Sequence, residues 1–287
     1  MDEETVGIAY VLASAAGFGT LGVFGIVAND VGLSIPTVLA FRFGFASITL
    51  WLLLAVRGRA RLLTGRTLGW AIVLGVAGYG SMSGFYFWGL EYLTAGLVAI
   101  VLYTYPAMII TVTAVTNPRR VDRRLLAALC LSLGGVALIV GADPSGVDPR
   151  GVLLVLVAAV SYAGYMMGSE HVLESVDSQL LSAHVLPAAG ISFLGIGLAM
   201  GTFAVPSATE TTAWGVLAAL ALLSTAAPIL LLYAGLRRIG SSKAGIASTI
   251  EPAVAVVFGA VALGEPVTAT TVVGGGLIVA GVLAIRR

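Results

Sequence analysis

Residues 244–263 read AGIASTIEPAVAVVFGAVAL, an apolar run interrupted near its middle by Glu251 and Pro252. Its 20 residues are enough helix to cross about 30 Å of hydrocarbon. A carboxylate at mid-membrane depth costs roughly 3 kcal/mol on insertion scales. Proline in a continuing helix lacks the N–H that would bond the carbonyl four residues back, here that of Ser248. Two such liabilities side by side mark a site, a hinge, or both. A second proline, Pro106 in YTYPAMIITV, lies 146 residues earlier, and this pairing guides the architecture.

The surrounding chain has 287 residues, 59% hydrophobic and 10% charged. Soluble domains carry about 25% charged residues. So much apolar surface implies an all-α integral membrane protein. The net charge of +1 points away from a nucleic-acid partner. The single cysteine, Cys130, excludes an internal disulfide and reads as a small core residue. The opening MDEET lacks the basic segment of a signal peptide, so the first apolar run is expected to remain as a membrane helix.

Ten apolar segments follow: 5–28, 35–56, 67–89, 94–115, 124–142, 149–169, 178–203, 213–235, 244–263 and 266–285. Short connectors leave no room for a soluble domain. The 37 glycines suit close helix approach in lipid. Ala15, Gly19 and Gly22 form a small face on the first helix, and Gly274, Gly276, Ala280 and Gly281 form one on the last. With the N-terminus in the cytoplasm, the inner connectors hold Arg57, Arg59, Arg61, Arg66, Arg119, Arg120, Arg123, Arg124, Arg237, Arg238 and Lys243, and the tail adds Arg286 and Arg287. The outer connectors hold Arg150 alone. That asymmetry places both termini in the cytoplasm and gives a multi-pass cell-membrane protein.

The two halves align with each other. A shift of 146 pairs Gly69 with Gly215, Gly89-Leu90 with Gly235-Leu236, Pro106-Ala107 with Pro252-Ala253, and Gly135-Val136 with Gly281-Val282. Near the start, a shift of 144 pairs Gly7 with Gly151 and Phe18 with Tyr162. The expected units are residues 1–142 and 149–287, five helices each. An odd number of helices per unit makes the second unit upside down relative to the first. Such inverted repeats are typical of secondary transporters, which hold substrate near the midplane where matching helices are interrupted.

AFRFGFASITL around Arg42, SSKAGIASTIEPAVAVVFGAVALGE around Pro252, and the glycine-rich VVGGGLIVAGVLAI resemble the EamA family of the drug/metabolite transporter superfamily, in that order and spacing. The resemblance covers essentially the whole chain. One departure is Arg119, which stands at the position matching Glu265. The resemblance implies proton-linked, exchange or facilitated movement of a small molecule, with amino acids or related compounds as an example cargo.

The candidate site residues each have two readings. Glu251 is a proton carrier or an anchor for a substrate amine; alternatively it caps broken backbone. Its repeat-mate is Tyr105. Arg42 binds a substrate carboxylate or pairs with Glu251; alternatively it fixes packing. Tyr79, Tyr103, Tyr162 and Phe18 line a cavity, or pack as ordinary aromatics. Tyr86 and Tyr165 share helix faces with Tyr79 and Tyr162, whereas Trp88 and Tyr92 suit an interfacial belt. Pro106 and Pro252 are hinges. His184 is a hydrogen-bonded core residue or a proton relay. No metal-ligand spacing, cofactor motif or GxxxxGK loop is present. The leading expectation is therefore a non-enzymatic, non-ATP carrier working by alternating access, with protons as candidate coupling ion. Helices 5 and 10 are left for scaffold or homodimer contact. The rival classes are a channel, a non-transporting scaffold, and a membrane-embedded enzyme.

Overall fold

The computed structural model describes residues 2–93, 98, 101–118, 121–140, 148–263 and 268–284. Arg119, Arg120, Glu265, Arg286 and Arg287 lie outside these residues. The secondary structure among the described residues is helical. Helices α1 (Glu3–Phe18), α2 (Leu21–Asp30), α3 (Ile35–Val56) and α4 (Gly65–Val73) come first. A π-helical segment, Leu74–Gly80, then leads into α5 (Ser81–Gly89). Helices α6 (Tyr105–Thr116) and α7 (Arg123–Val140) follow. The second half runs α8 (Pro149–Leu173), α9 (Ser178–Ala199), α10 (Thr211–Ala221), a π-helical segment Leu222–Ala226, α11 (Ala227–Ser248), α12 (Glu251–Leu263) and α13 (Ala269–Ala284).

Six helical stretches among the described residues are long and apolar enough to cross a membrane: Glu3–Asp30, Ile35–Val56, Gly65–Gly89, Pro149–Leu173, Ser178–Ala199 and Thr211–Ser248. The run from Ala227 to Leu263 is broken twice. Gly240 adopts φ 73 and ψ 168, so the chain turns there although helix runs on both sides. A second break at Thr249 and Ile250 separates Ser248 from Glu251. Pro252 is thus the second residue of α12, where its missing N–H is no loss. Pro106 holds the same place in α6, after the turn at Tyr103 and Thr104. The prolines start half-helices rather than kink continuous ones.

The strongest pairings are α1 with α11, α5 with α8, α3 with α9, and α7 with α13. Glycine sets the closest approaches. A Cβ on Gly235 would stand 2.5 Å from Val11 Cγ2, and one on Gly7 would stand 2.5 Å from Ile239 Cγ2. At the positions related by the repeat shifts, a Cβ on Gly89 would collide with Val155 Cγ2, and one on Gly151 would stand 2.5 Å from Leu93 Cγ. The small face expected on the last helix is in part different. Gly274 and Gly281 pack on α7, whereas Gly276 and Ala280 face outwards. Cys130 is also exposed, not a core residue, because it lies on the outward face of α7.

Gly235→Leu is expected to lower the thermal unfolding temperature of the purified protein by several degrees, since overpacking typically costs about 1–3 kcal/mol. Gly44→Ala, where an added Cβ has open space, should leave it within error. Equal melting of both variants would remove the close-approach role of Gly235.

Candidate functional site

The two π-helical segments meet at Arg42. Its side chain leaves α3 and is 2% exposed. Nε donates to Thr225 Oγ1 at 2.6 Å and Nη2 donates to the Tyr79 hydroxyl at 3.1 Å. Tyr79 and Thr225 are 146 positions apart, so one guanidinium ties together the equivalent residues of the two halves. Both sit where helical pitch widens, which presents side chains off the regular face. Thr225 in turn donates to the Leu220 carbonyl at 2.7 Å. The Phe43 ring lies 5.0 Å from the guanidinium carbon and the Tyr79 ring 5.9 Å. These rings help offset the cost of removing the charge from water.

From Tyr79 an aromatic network crosses the molecule. Tyr79 stacks on Tyr165 at 5.2 Å between centroids, and Tyr165 on Tyr162 at 5.9 Å. Tyr162 meets Tyr105 edge-on at 4.6 Å, and Tyr105 lies 6.1 Å from Tyr103. Phe18 joins at Tyr79, 6.5 Å away, and Tyr233 at Tyr165, 5.9 Å away. Four expected residues, Phe18, Tyr79, Tyr103 and Tyr162, therefore stand in one continuous set. Among the described residues the buried Tyr165 hydroxyl has no hydrogen-bond partner, a condition that costs about 1–3 kcal/mol unless a water or ligand answers it.

Glu251 stands at the other end of this network. It opens α12, where the positive end of the helix dipole favours a carboxylate. Tyr103, Tyr86, Tyr105 and Tyr162 are near enough to interact with it electrostatically. Direct Arg42–Glu251 pairing is absent from the ion pairs of the described residues. Glu251 is partly exposed, in contrast with Arg42.

The helix breaks are satisfied across the structure. In an unbroken helix the Gly245 carbonyl would accept from Thr249 N–H, which instead bonds Ile246 at 3.1 Å. The Tyr105 hydroxyl, from the matching break, donates to Gly245 at 3.2 Å. At Gly240 the Ser241 N–H, freed by the turn, donates to Glu170 Oε2 at 2.9 Å. Beside this break a cavity of about 1040 Å³ is lined by Thr113, Glu170, Arg238, Ser242 and Lys243. His184 takes its structural reading: Nε2 accepts from Leu63 N–H at 3.1 Å, while Nδ1 lies 2.8 Å from the Leu180 carbonyl. Thr225, Tyr233 and Glu170 were not among the expected residues. The 146 shift that maps Tyr79 onto Thr225 is the signal that finds the first; nothing comparable marks the other two.

Arg42→Gln and Thr225→Val are each expected to lower thermal stability, because hydrogen bonds to charged groups are worth about 1.5–3 kcal/mol. The double variant should lose less than the sum of the two. Strict additivity in this thermal cycle would argue against the Arg42–Thr225 link.

The model of the EamA-like transporter family matches residues 5–141 and again 149–287. An uncharacterized transporter, YcbK, of Bacillus subtilis (strain 168) is 28% identical over 196 residues, 66% of this chain and 63% of that protein, so the matched region spans less than two thirds of that relative. An uncharacterized transporter of Archaeoglobus fulgidus is 27% identical over 278 residues, covering 96% of this chain and 95% of that protein. One solved crystal structure superposes with a TM-score of 0.81 at 18% identity, covering 98% of this chain and 96% of the other, which supports the fold. With both halves matched separately and six long apolar helices among the described residues, the chain belongs to the EamA-like transporter family.

Proposed function

We infer that the protein is a secondary carrier of a small organic molecule, with ten spans in two inverted five-helix repeats and both termini in the cytoplasm. The observation that carries this reading is the matched pair of half-helix starts, Tyr105-Pro106 and Glu251-Pro252, beside one aromatic network. Support for the two units, 1–142 and 149–287, comes from the pairings. Exchanging the halves turns α1 on α11 into α8 on α5, and leaves α3 on α9 and α7 on α13 unchanged in kind.

The substrate site is read as the region where Glu251, Tyr103 and Tyr162 converge, with Tyr79 and Phe18 behind them. Arg42 holds the two π-helical segments together at its floor. Pro106 and Pro252 set the breaks about which α6 and α12 swing as access alternates. Proton coupling would run through Glu251, the partly exposed carboxylate of this region. The cavity beside Gly240 is lined by both basic and acidic residues, among them Arg238, Lys243, Glu170 and Glu174. Outward Leu126, Leu138, Val272 and Leu283 on α7 and α13 would face lipid of the cell membrane or a second copy.

Proteoliposomes holding a mixture of labelled small metabolites should show saturable counterflow. Glu251→Gln and Pro252→Ala should each reduce that flux about tenfold with normal membrane insertion. Normal transport by both variants would defeat their assigned roles, and single-channel conductance would defeat the carrier reading. In a Cys130→Ala background, a membrane-impermeant maleimide added to intact cells should label Ser207→Cys and spare Ser175→Cys. The reverse pattern would invert the orientation.

A further inference from the structure

Three ionisable side chains other than tyrosine, Arg42, His184 and Glu251, lie within apolar runs of the described residues. Two of them are committed. His184 has both ring nitrogens against backbone groups of Leu63 and Leu180. Arg42 is bonded to Thr225 and Tyr79, covered by the Phe43 ring, and 2% exposed. A ligand carboxylate could reach Arg42 only by opening the packing that keeps it 2% exposed. Glu251 differs from both in keeping part of its surface open.

The walls near Glu251 carry the same sign preference. Tyr103, Tyr105 and Tyr162 pack there as buried rings, and Tyr86 and Phe87 are partly exposed on α5. Gly25 on α2 brings its backbone against Phe87, where an added Cβ would lie 3.7 Å from Cε1. Aromatic faces are negative at their centres, so they attract cations and repel carboxylates. A partly exposed glutamate beside tyrosines, with the guanidinium of Arg42 buried away from it, favours positive charge.

Resting on the carrier reading above, we propose that the Glu251 site takes an organic cation, a protonated amine on an apolar or aromatic body, and discriminates against organic anions. The ammonium group sits at Glu251 and the body lies along Tyr103 and Tyr162. A zwitterionic amino acid binds more weakly than the corresponding amine, because its carboxylate finds no accessible cation in the site.

The test uses three probes with one ring and different charge: 2-phenylethylamine, phenylalanine and 3-phenylpropionate. Each is added to the purified full-length protein in detergent at neutral pH, and thermal unfolding is followed. The amine should raise Tm, 3-phenylpropionate should leave it unchanged, and phenylalanine should fall between. Glu251→Gln should weaken amine binding about tenfold or more, while Glu251→Asp keeps the charge preference. No stabilisation by the amine, equal stabilisation by the anion, or unchanged amine binding in a folded Glu251→Gln variant would overturn the proposal. Thermal shift reads binding without transport. Amine binding with no counterflow of any metabolite would sink the carrier and leave the site. Saturable counterflow of an anion in preference to an amine would sink the charge preference and leave the carrier.

Discussion

A helix broken inside a membrane must find partners for its freed backbone groups, because hydrocarbon offers none. The structure meets this constraint by making each break the business of another segment. The Tyr105 hydroxyl bonds the Gly245 carbonyl, so the break at Thr249 depends on the break before Tyr105. Glu170 bonds Ser241 N–H, so the turn at Gly240 depends on the end of α8. Thr104 and Thr249 each turn their hydroxyl back to a carbonyl three residues earlier, at 2.6 Å in both cases. Starting the following half-helix with proline removes one donor that would otherwise need a partner. A change at either break therefore reaches the other through direct bonds.

Arg42 extends the same principle to charge. A buried guanidinium is tolerated only where its donors are met. Here two of them are met by Tyr79 and Thr225, which the repeat places at equivalent points of the two π-helical segments. The widened turns present both hydroxyls towards α3. One side chain from the first half thus joins both halves at depth, close to the aromatic network but behind it. Its position separates the two charges at the centre of the molecule: one is closed within the protein, while Glu251 keeps an open side.

Membership of a membrane transporter family was legible because it rests on quantities a chain carries in one dimension. The apolar runs, the 146-residue shift and the paired prolines required no contact information. The cluster of Phe18, Tyr79, Tyr103 and Tyr162 was legible too, since tyrosines at depth need partners and usually gather. The interruption of residues 244–263 was legible, but its form, a break before Glu251 and not a kink at Pro252, was not. Apolar length alone cannot distinguish a straight crossing from a half-helix pair, because both bury the same residues. Cys130 was misjudged for a related reason: within an apolar run of a membrane helix, hydrophobicity does not tell the lipid face from the core face.

The sequence by itself determined that this chain is a helical membrane protein with related halves, because lipid forces backbone bonds inward and leaves periodic apolar runs as their trace. Only the tertiary structure decided that Arg42 is committed to Tyr79 and Thr225, and that Glu251 opens a half-helix on an aromatic network. Those facts depend on where a π-turn rotates a side chain and which carbonyl a break leaves free. Such geometry is set by contacts between residues more than a hundred positions apart, and hydropathy does not encode it.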